Sequence, residues 1–207
     1  MNIVLIGIQG CGKGTLVAGL EKHFDLSLIS MGQLLRDEIA TGSELGKTIK
    51  SIIDKGNLVT LDIIKHALSK KLTTLKDLTI FDGFPRNSEQ ADLLDTIAKV
   101  DLVIHLNLSK DVAMNRILGR LTCSNCAYIT TKQAVSSDVC PQCGGKLVVR
   151  SDDTIDSINK RFEVYEKETY PLLERYKKRG IVVDIDANQT ADNVLKDVLK
   201  VINEYNN

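Results

Sequence analysis

The chain has 207 residues, of which 43% are hydrophobic and 26% charged, a composition that excludes a disordered chain and suits one sizeable core. Lys plus Arg and Asp plus Glu number 27 each, so the formal net charge is zero and the basic excess of a non-specific nucleic-acid-binding protein is missing. No run approaches 18 apolar residues, so we expect no membrane-spanning helix.

The first predicted element is a short apolar strand that leads into a phosphate-binding motif. Its run, residues 3–6, is broken early by glycines, which predicts neither a signal peptide nor a membrane anchor and favours a cytoplasmic protein. Residues 7–15 match G-x-x-x-x-G-K-[ST] between a predicted strand and a predicted helix. In this motif Lys13 is expected to contact the phosphates and Thr15 to face Mg²⁺. A merely structural glycine-rich turn is the alternative, which the lysine and threonine disfavour.

Further along the chain, short apolar runs alternate with amphipathic stretches, a pattern typical of a parallel sheet covered by helices. Five strands are predicted, at 3–6, 28–30, 78–81, 102–106 and 181–185. Eight helices are predicted, at 13–23, 32–40, 43–55, 61–71, 88–99, 110–119, 155–178 and 190–204. Residues 31–59 supply helices without a strand and are predicted to form a helical insert. Residues 119–153 break the rhythm and are predicted to form a separate small lobe.

Four of the five cysteines lie in this predicted lobe. They form two C-x-x-C pairs separated by 13 residues: Cys123, Cys126, Cys140 and Cys143. In a reducing compartment this spacing predicts a closed tetrahedral zinc site with a structural role. The alternative is a zinc ribbon that binds nucleic acid. Residues 121–149 disfavour it, because their only basic residues are Lys132 and Lys146 and their only aromatic residue is Tyr128.

Several motifs of the chain occur in the same order in one known family. They are Lys13-Gly14-Thr15, Asp82-Gly83-Phe84-Pro85-Arg86, Gly119-Arg120 and Asp152-Asp153. Over essentially its whole length the chain resembles the adenylate kinases, in their long-lid form with a structural zinc. The resemblance implies an α/β, P-loop nucleoside-monophosphate-kinase-like fold: a five-stranded parallel sheet flanked by helices, with a helical insert and a zinc-stapled lid. The core would be residues 1–30, 60–118 and 154–207, the monophosphate-binding insert 31–59 and the lid 119–153.

The resemblance also implies the activity and the residues that carry it. The reaction would be reversible, Mg²⁺-dependent phosphoryl transfer from ATP to AMP in a monomer that binds neither nucleic acid nor membrane. The implied catalytic residues are Lys13, Asp82, Arg86, Arg120, Arg150 and Arg161. Those implied for ATP are Gly10, Cys11, Gly12, Lys13, Gly14, Thr15, Arg116, Arg120 and Gln189. Those implied for AMP are Met31, Arg36, Asn57, Val59, Gly83, Arg86, Gln90, Arg150 and Arg161.

The residue types suit that chemistry without a general base. Forked guanidinium groups match the charge that spreads over the oxygens of a transferring phosphoryl group. The acceptor is itself a phosphate oxygen, already deprotonated at neutral pH, so positioning and charge stabilisation can supply most of the rate.

The sequence also departs from the family pattern near the acceptor base. Met31 and Gln33 stand where the family normally has Thr and Asp, and Asn87 also resembles UMP/CMP kinases. Gln90 favours AMP, because a carboxamide can both donate to and accept from the adenine edge. A kinase for another monophosphate, UMP or CMP, therefore stays open as the nearest alternative, and a nucleotide-dependent nucleic-acid-binding module as the more distant one.

Overall fold

The computed structural model describes residues 1–69, 71–72 and 75–205. Its strands are β1 (Asn2–Ile6), β2 (Leu26–Ser30), β3 (Leu78–Asp82), β4 (Leu102–Asn107), β5 (Arg120–Cys123), β6 (Ile129–Thr131), β7 (Leu147–Val148) and β8 (Val182–Asp186). Its α-helices are α1 (Lys13–Leu20), α2 (Met31–Ala40), α3 (Glu44–Ile53), α4 (Leu61–Ser69), α5 (Ser88–Ile97), α6 (Lys110–Leu118), α7 (Ile155–Val164), α8 (Leu172–Lys177) and α9 (Ala191–Tyr205). None of the helices in the described part of the chain is long and apolar enough to cross a membrane.

The main sheet has five parallel strands in the order β2-β3-β1-β4-β8. The inner strands β1, β3 and β4 are almost wholly buried, as expected for short apolar strands covered by helices on both faces. The prediction of five parallel strands is confirmed, with ends that agree to within two residues. In this register Leu5 lies beside Asp82, so the loop after β1 and the end of β3 share one edge of the sheet.

Residues 31–53 contain two helices with no strand between them, as predicted for the insert. The α2 helix follows β2 directly and packs against α3 and α4. The Ser43 hydroxyl caps α3 by accepting from the Gly46 N–H at 2.9 Å, which satisfies one of the free amides of the first turn.

The four-cysteine lobe forms a second sheet, three antiparallel strands in the order β6-β5-β7, which the sequence did not predict. Its buried cluster consists of Cys123, Cys140 and Leu147 and is separate from the main core. Three side chains are too few to stabilise a lobe of this size by apolar burial alone.

The single predicted helix at 155–178 is wrong as a continuous α-helix. A π-helix, Tyr165–Thr169, separates α7 from α8, and the Tyr170 N–H donates to the Tyr165 carbonyl at 2.7 Å across five residues. Pro171 follows at once and has no N–H to continue the α-helical pattern. Three other predicted helices, with predicted ends at residues 23, 55 and 99, extend two to three residues past the observed ends of α1, α3 and α5. The prediction for 61–71 runs past α4 onto residue 70, outside the described residues.

Candidate active site

The turn between β1 and α1 has the geometry that the P-loop motif predicts. Gly10 and Gly12 have φ angles of 87° and 100°, a region that disfavours residues with a β-carbon. A β-carbon on Gly10 would also come within 2.8 Å of the Ala113 carbonyl oxygen, because the turn lies against α6. Lys13 begins α1, and its ammonium donates to the Gly7 carbonyl at 2.6 Å. The ammonium and the free amides of the first helical turn together make an end of the helix that favours anions.

Five arginines from three parts of the chain meet near this edge of the sheet. They are Arg36 on α2, Arg86 after β3, Arg120 at the start of β5, Arg150 after β7 and Arg161 on α7. Burial lowers the pKa of Arg86; the Arg161 and Arg36 charges lower it further, and Asp82 opposes them. Burial likewise lowers the pKa of Arg36, with Asp152 opposing and Arg120 reinforcing the shift. Arg36 of α2 is therefore close enough to Arg120 and Asp152 for their charges to affect its pKa.

Arg150 is a further buried cation of this cluster, whose burial and neighbouring arginines outweigh the opposing charges of Asp153 and Asp152. Burial lowers its pKa to about 10, and the charges of Arg120 and Arg36 act in the same direction. Its Nε donates to the Thr122 hydroxyl at 3.0 Å, and it makes no ion pair with the described residues. A positive charge held in such surroundings is stabilised by a bound anion.

Two adjacent carboxylates compensate the other lobe-side arginines. Asp153, whose side chain is 1% exposed, accepts from Arg120 Nε at 3.0 Å and Nη2 at 2.6 Å. Arg161 reaches Asp153 at 3.5 Å and also donates to Asp152. Burial alone would raise the pKa of Asp152, but Arg161 and Arg150 outweigh burial and hold that pKa below its usual value. The sequence showed this Asp-Asp pair only as part of a motif; its role in orienting the arginines was missed.

The four-cysteine lobe lies directly over the P-loop. A β-carbon on Gly14 would come within 3.1 Å of the Ile129 Cδ1 atom of β6. Three P-loop residues remain exposed at the cleft: Gly12, Gly14 and Thr15. Cys11 is buried, and its Sγ lies 3.4 Å from the Lys13 Nζ. The predicted P-loop residues are therefore assembled at one site beneath the lobe.

The loop after β3 holds Arg86 in a fixed conformation. Arg86 Nε donates to the Gly83 carbonyl at 2.9 Å, and the Arg86 N–H donates to Gln90 Oε1 at 2.9 Å. Gln90 is buried at the start of α5, where its N–H donates to the Asn87 side chain at 2.9 Å. Because the Gln90 oxygen must face the Arg86 N–H, its NH₂ group remains as the hydrogen-bond donor.

The structure does not bring all the predicted nucleotide-binding residues into contact with this cluster. Met31 and Val59 belong to the main core, at 2% and 7% exposure, and Asn57 is exposed. Arg116 is half-buried in the last turn of α6, and Gln189 donates to Asp197 at 2.6 Å. In the described part of the chain neither makes a hydrogen bond or ion pair with the P-loop or the arginines. Their contacts with nucleotide stay predictions.

The four lobe cysteines form a compact sulfur cluster. All four Sγ atoms lie within 4.8 Å of one another, with Cys123 and Cys143 at 3.5 Å and Cys126 and Cys140 at 3.7 Å. A tetrahedral zinc with Zn–S bonds of about 2.3 Å requires sulfur separations of about 3.8 Å. Backbone hydrogen bonds from Cys126 and Asn125 lower the pKa of Cys123; a backbone hydrogen bond from Tyr128 lowers that of Cys126, but the Cys143 sulfur and burial raise it overall. The donor set and its spacing fit zinc.

The two C-x-x-C turns share one backbone design. In each, the residue after the second cysteine donates its N–H to the carbonyl of the first: Ala127 to Cys123 at 3.2 Å, and Gly144 to Cys140 at 2.9 Å. Both donors have left-handed φ angles, 59° for Ala127 and 72° for Gly144. Ala127 therefore carries a steric cost that glycine avoids in the other turn.

A P-loop and an arginine cluster at the carboxyl edge of a parallel sheet, beneath a small lobe, define a nucleotide-binding protein of the P-loop class. A family model described as adenylate kinase matches residues 5–181. The adenylate kinase of Caldanaerobacter subterraneus is 38% identical, over 98% of this chain and 96% of its own length. The adenylate kinase of Treponema denticola is 39% identical, over 94% of this chain and 96% of its own length. The adenylate kinase of Methanococcoides burtonii is 33% identical, over 99% of this chain and 100% of its own length. The chain belongs to the adenylate kinase family.

Proposed function

We propose that the chain catalyses reversible phosphoryl transfer from ATP to AMP, giving two molecules of ADP. The observation that carries this proposal is a P-loop with Lys13 beneath the lobe, together with arginines from three parts of the chain that lie close enough to affect one another's pKa. A site for two polyanionic substrates needs positive charge from both sides, and their transferring phosphoryl group needs donors around its equatorial oxygens.

Within the cleft the residues divide by their positions. The P-loop and Lys13 would bind the donor phosphates, and Arg36 and Arg86 would bind the acceptor phosphate. Arg120, Arg150 and Arg161 would surround the group in transit. Asp152 and Asp153 hold two of these guanidinium groups in place through the contacts described above.

Magnesium enters this proposal as the partner of ATP. The Thr15 hydroxyl and the Asp82 carboxylate are hard oxygen donors near the phosphate site, the type of ligand that Mg²⁺ prefers. The ion would neutralise phosphate charge. The chain's own residues would align the two substrates, and closure of the lobe would exclude water that could otherwise hydrolyse ATP.

AMP is proposed as the acceptor because of the orientation of Gln90. Its oxygen is engaged by the Arg86 N–H, which leaves the NH₂ group as a donor to an adenine ring nitrogen. Met31 can contribute apolar contact at most through the 2% of its surface that is exposed.

We further propose that the four lobe cysteines bind one structural zinc. The fit of the sulfur separations supports this, and so does the three-residue buried cluster, which leaves the metal to supply the folding free energy. Purified protein should contain one zinc per chain by elemental analysis. Cys140→Ser should lose that zinc, whereas Cys11→Ser, outside the cluster, should keep it. Protein purified without chelator that contains no zinc would contradict the proposal.

The division into core, insert at 31–59 and lid at 119–153 is part of the same proposal, as are a monomeric state and a cytoplasmic location. The thiolate cluster suits a reducing compartment. Gel filtration with light scattering tests the monomer directly.

An acceptor panel tests the activity. With ATP and Mg²⁺, diphosphate formation should be fastest with AMP, compared with CMP, UMP and GMP. Lys13→Ala should lower turnover by about 10²–10³-fold. Lys22→Ala, which removes an exposed lysine in the turn after α1, should not.

Two substitutions of Gln90 then test the acceptor pocket. Gln90→Glu keeps the acceptor oxygen for Arg86 but loses the amide donor, and Gln90→Leu loses both. Both should reduce the preference for AMP. Faster turnover of CMP or UMP by the unmodified protein, or an unchanged preference in Gln90→Glu, would contradict the assignment.

A further inference from the structure

A single hydroxyl group links the segment after α7 to the loop that carries Arg86. Thr169, the last residue of the π-helix, is 8% exposed, and its Oγ1 donates to the Arg86 carbonyl at 2.8 Å. The two residues are 83 positions apart in the chain, so the bond joins segments that no local turn connects.

The π-helix explains why Thr169 faces Arg86. Arg161 lies eight residues earlier in the same continuous segment, and eight residues of regular α-helix would rotate two side chains about 80° apart. A π turn rotates less per residue, because its hydrogen bonds span five residues. It therefore turns Thr169 back towards the face that carries Arg161. Arg161 is also close enough to Arg86 for its charge to lower the Arg86 pKa.

Arg86 is thereby held at three points. Its N–H donates to Gln90 and its Nε to the Gly83 carbonyl, both within its own loop and α5. Thr169 donates to its carbonyl from a segment that is distant in the chain. The bond to Thr169 joins Arg86 to the helical segment that carries Arg161.

We propose that Thr169 is a positioning residue for the acceptor phosphate and acts through Arg86. This rests on the proposed function, in which Arg86 binds that phosphate and Arg161 the phosphoryl group in transit. The Thr169 hydroxyl sets the distance between the two guanidinium groups, and without it the Arg86 loop relaxes relative to α7. A misplaced Arg86 guanidinium group weakens the binding of the acceptor more than that of the donor, because Arg86 binds the acceptor phosphate.

The test compares Thr169→Val, which keeps the shape and removes the hydroxyl, with Thr169→Ser, which keeps the hydroxyl. Thr169→Val should lower kcat/KM for AMP three- to tenfold, mainly through KM, while KM for ATP changes less than twofold. Thr169→Ser should stay within twofold of the unmodified protein. Thermal unfolding of each variant shows whether it is folded under the assay conditions.

A second comparison tests the route through Arg86. In an Arg86→Lys background, which removes the forked guanidinium group, Thr169→Val should cost less than twofold, because the group that it positions is gone. A similar loss in both backgrounds would overturn the proposal. So would an equal rise in KM for ATP and AMP, no kinetic effect of Thr169→Val, or a loss in Thr169→Ser as large as in Thr169→Val.

The proposed function fails separately, if the unmodified protein does not phosphorylate AMP. The Thr169 comparison is then made with whichever monophosphate is the best acceptor.

Discussion

The buried charge of Arg150 predicts that its removal increases the stability of the ligand-free protein and decreases its activity. Its pKa is lowered to about 10, so the charged side chain costs folding free energy at every pH below that value and in full at pH 7. At about 1.4 kcal/mol per pKa unit, the fall from 12.5 to about 10 costs at most about 3–4 kcal/mol. Water screens a partly exposed group, so about 1 kcal/mol is expected. Arg150→Gln should therefore stabilise the ligand-free protein by about that amount.

Thermal unfolding at pH 7 in zinc-containing buffer, free of phosphate and sulfate, should show a Tm about 2–4 °C higher for Arg150→Gln. Phosphoryl transfer should fall about 10²–10³-fold, since the same charge stabilises the transferring group. Adding ATP and AMP should raise the Tm of the unmodified protein more than that of the variant.

Arg175→Gln is the matched control. Arg175 pairs with Asp92 at 2.6 Å and Asp95 at 2.7 Å, and these contacts raise its pKa. Its loss should lower stability by at most about 1 kcal/mol and leave the kinetics unchanged. If Arg150→Gln is less stable than the unmodified protein in the absence of ligand, the reasoning from charge burial is refuted.

Three further predictions follow from other contacts. Ala127→Gly should stabilise the zinc-loaded lobe by about 0.5–1 kcal/mol and Gly144→Ala should destabilise it by about 1 kcal/mol, measured as protease resistance of the lobe; equal effects of one sign would contradict the left-handed geometry. Asp152, with its lowered pKa, stabilises the fold above about pH 4, and this stabilisation is lost as the pH falls through its folded-state pKa. The unfolding free energies of Asp152→Asn and the unmodified protein, from urea titrations, should thus differ at pH 7 and converge below pH ~4; a gap independent of pH would argue against it. Met31→Thr should lower stability by about 1–3 kcal/mol, because the side chain is buried in the main core; an unchanged urea midpoint would show that Met31 is not packed as described.

The features that the sequence predicted well are local ones. The P-loop is a strand, a turn and a helix within 20 consecutive residues, and its Gly and Lys positions are fixed by backbone sterics and phosphate chemistry. The C-x-x-C pairs are local in the same sense. The five strands were found because burial on both faces demands continuous apolar runs.

What escaped prediction depends on contacts between distant segments or on the hydrogen-bond pattern within one helix. The break after α7 follows from five-residue hydrogen bonding, such as that from the Tyr170 N–H to the Tyr165 carbonyl, which a helical periodicity does not reveal. The roles of Asp152 and Asp153 depend on which arginines the fold places beside them. The Gln90 side chain was expected to offer both its oxygen and its NH₂ group to adenine; the bond from the Arg86 N–H to that oxygen was not predicted. No pattern in the sequence predicts the hydrogen bond from the Arg86 N–H to the Gln90 oxygen.

The separation of the two buried clusters has a consequence for how this family can diversify. The small cluster around Cys123, Cys140 and Leu147 shares no buried residue with the main core. The lobe can therefore be replaced as a unit. It can be shortened, lengthened or rebuilt on different internal chemistry without a compensating change in the sheet or its helices. The constraints on a replacement are few: it must join the chain at the ends of α6 and α7, and it must supply carboxylates to Arg161 and guanidinium groups to the cleft.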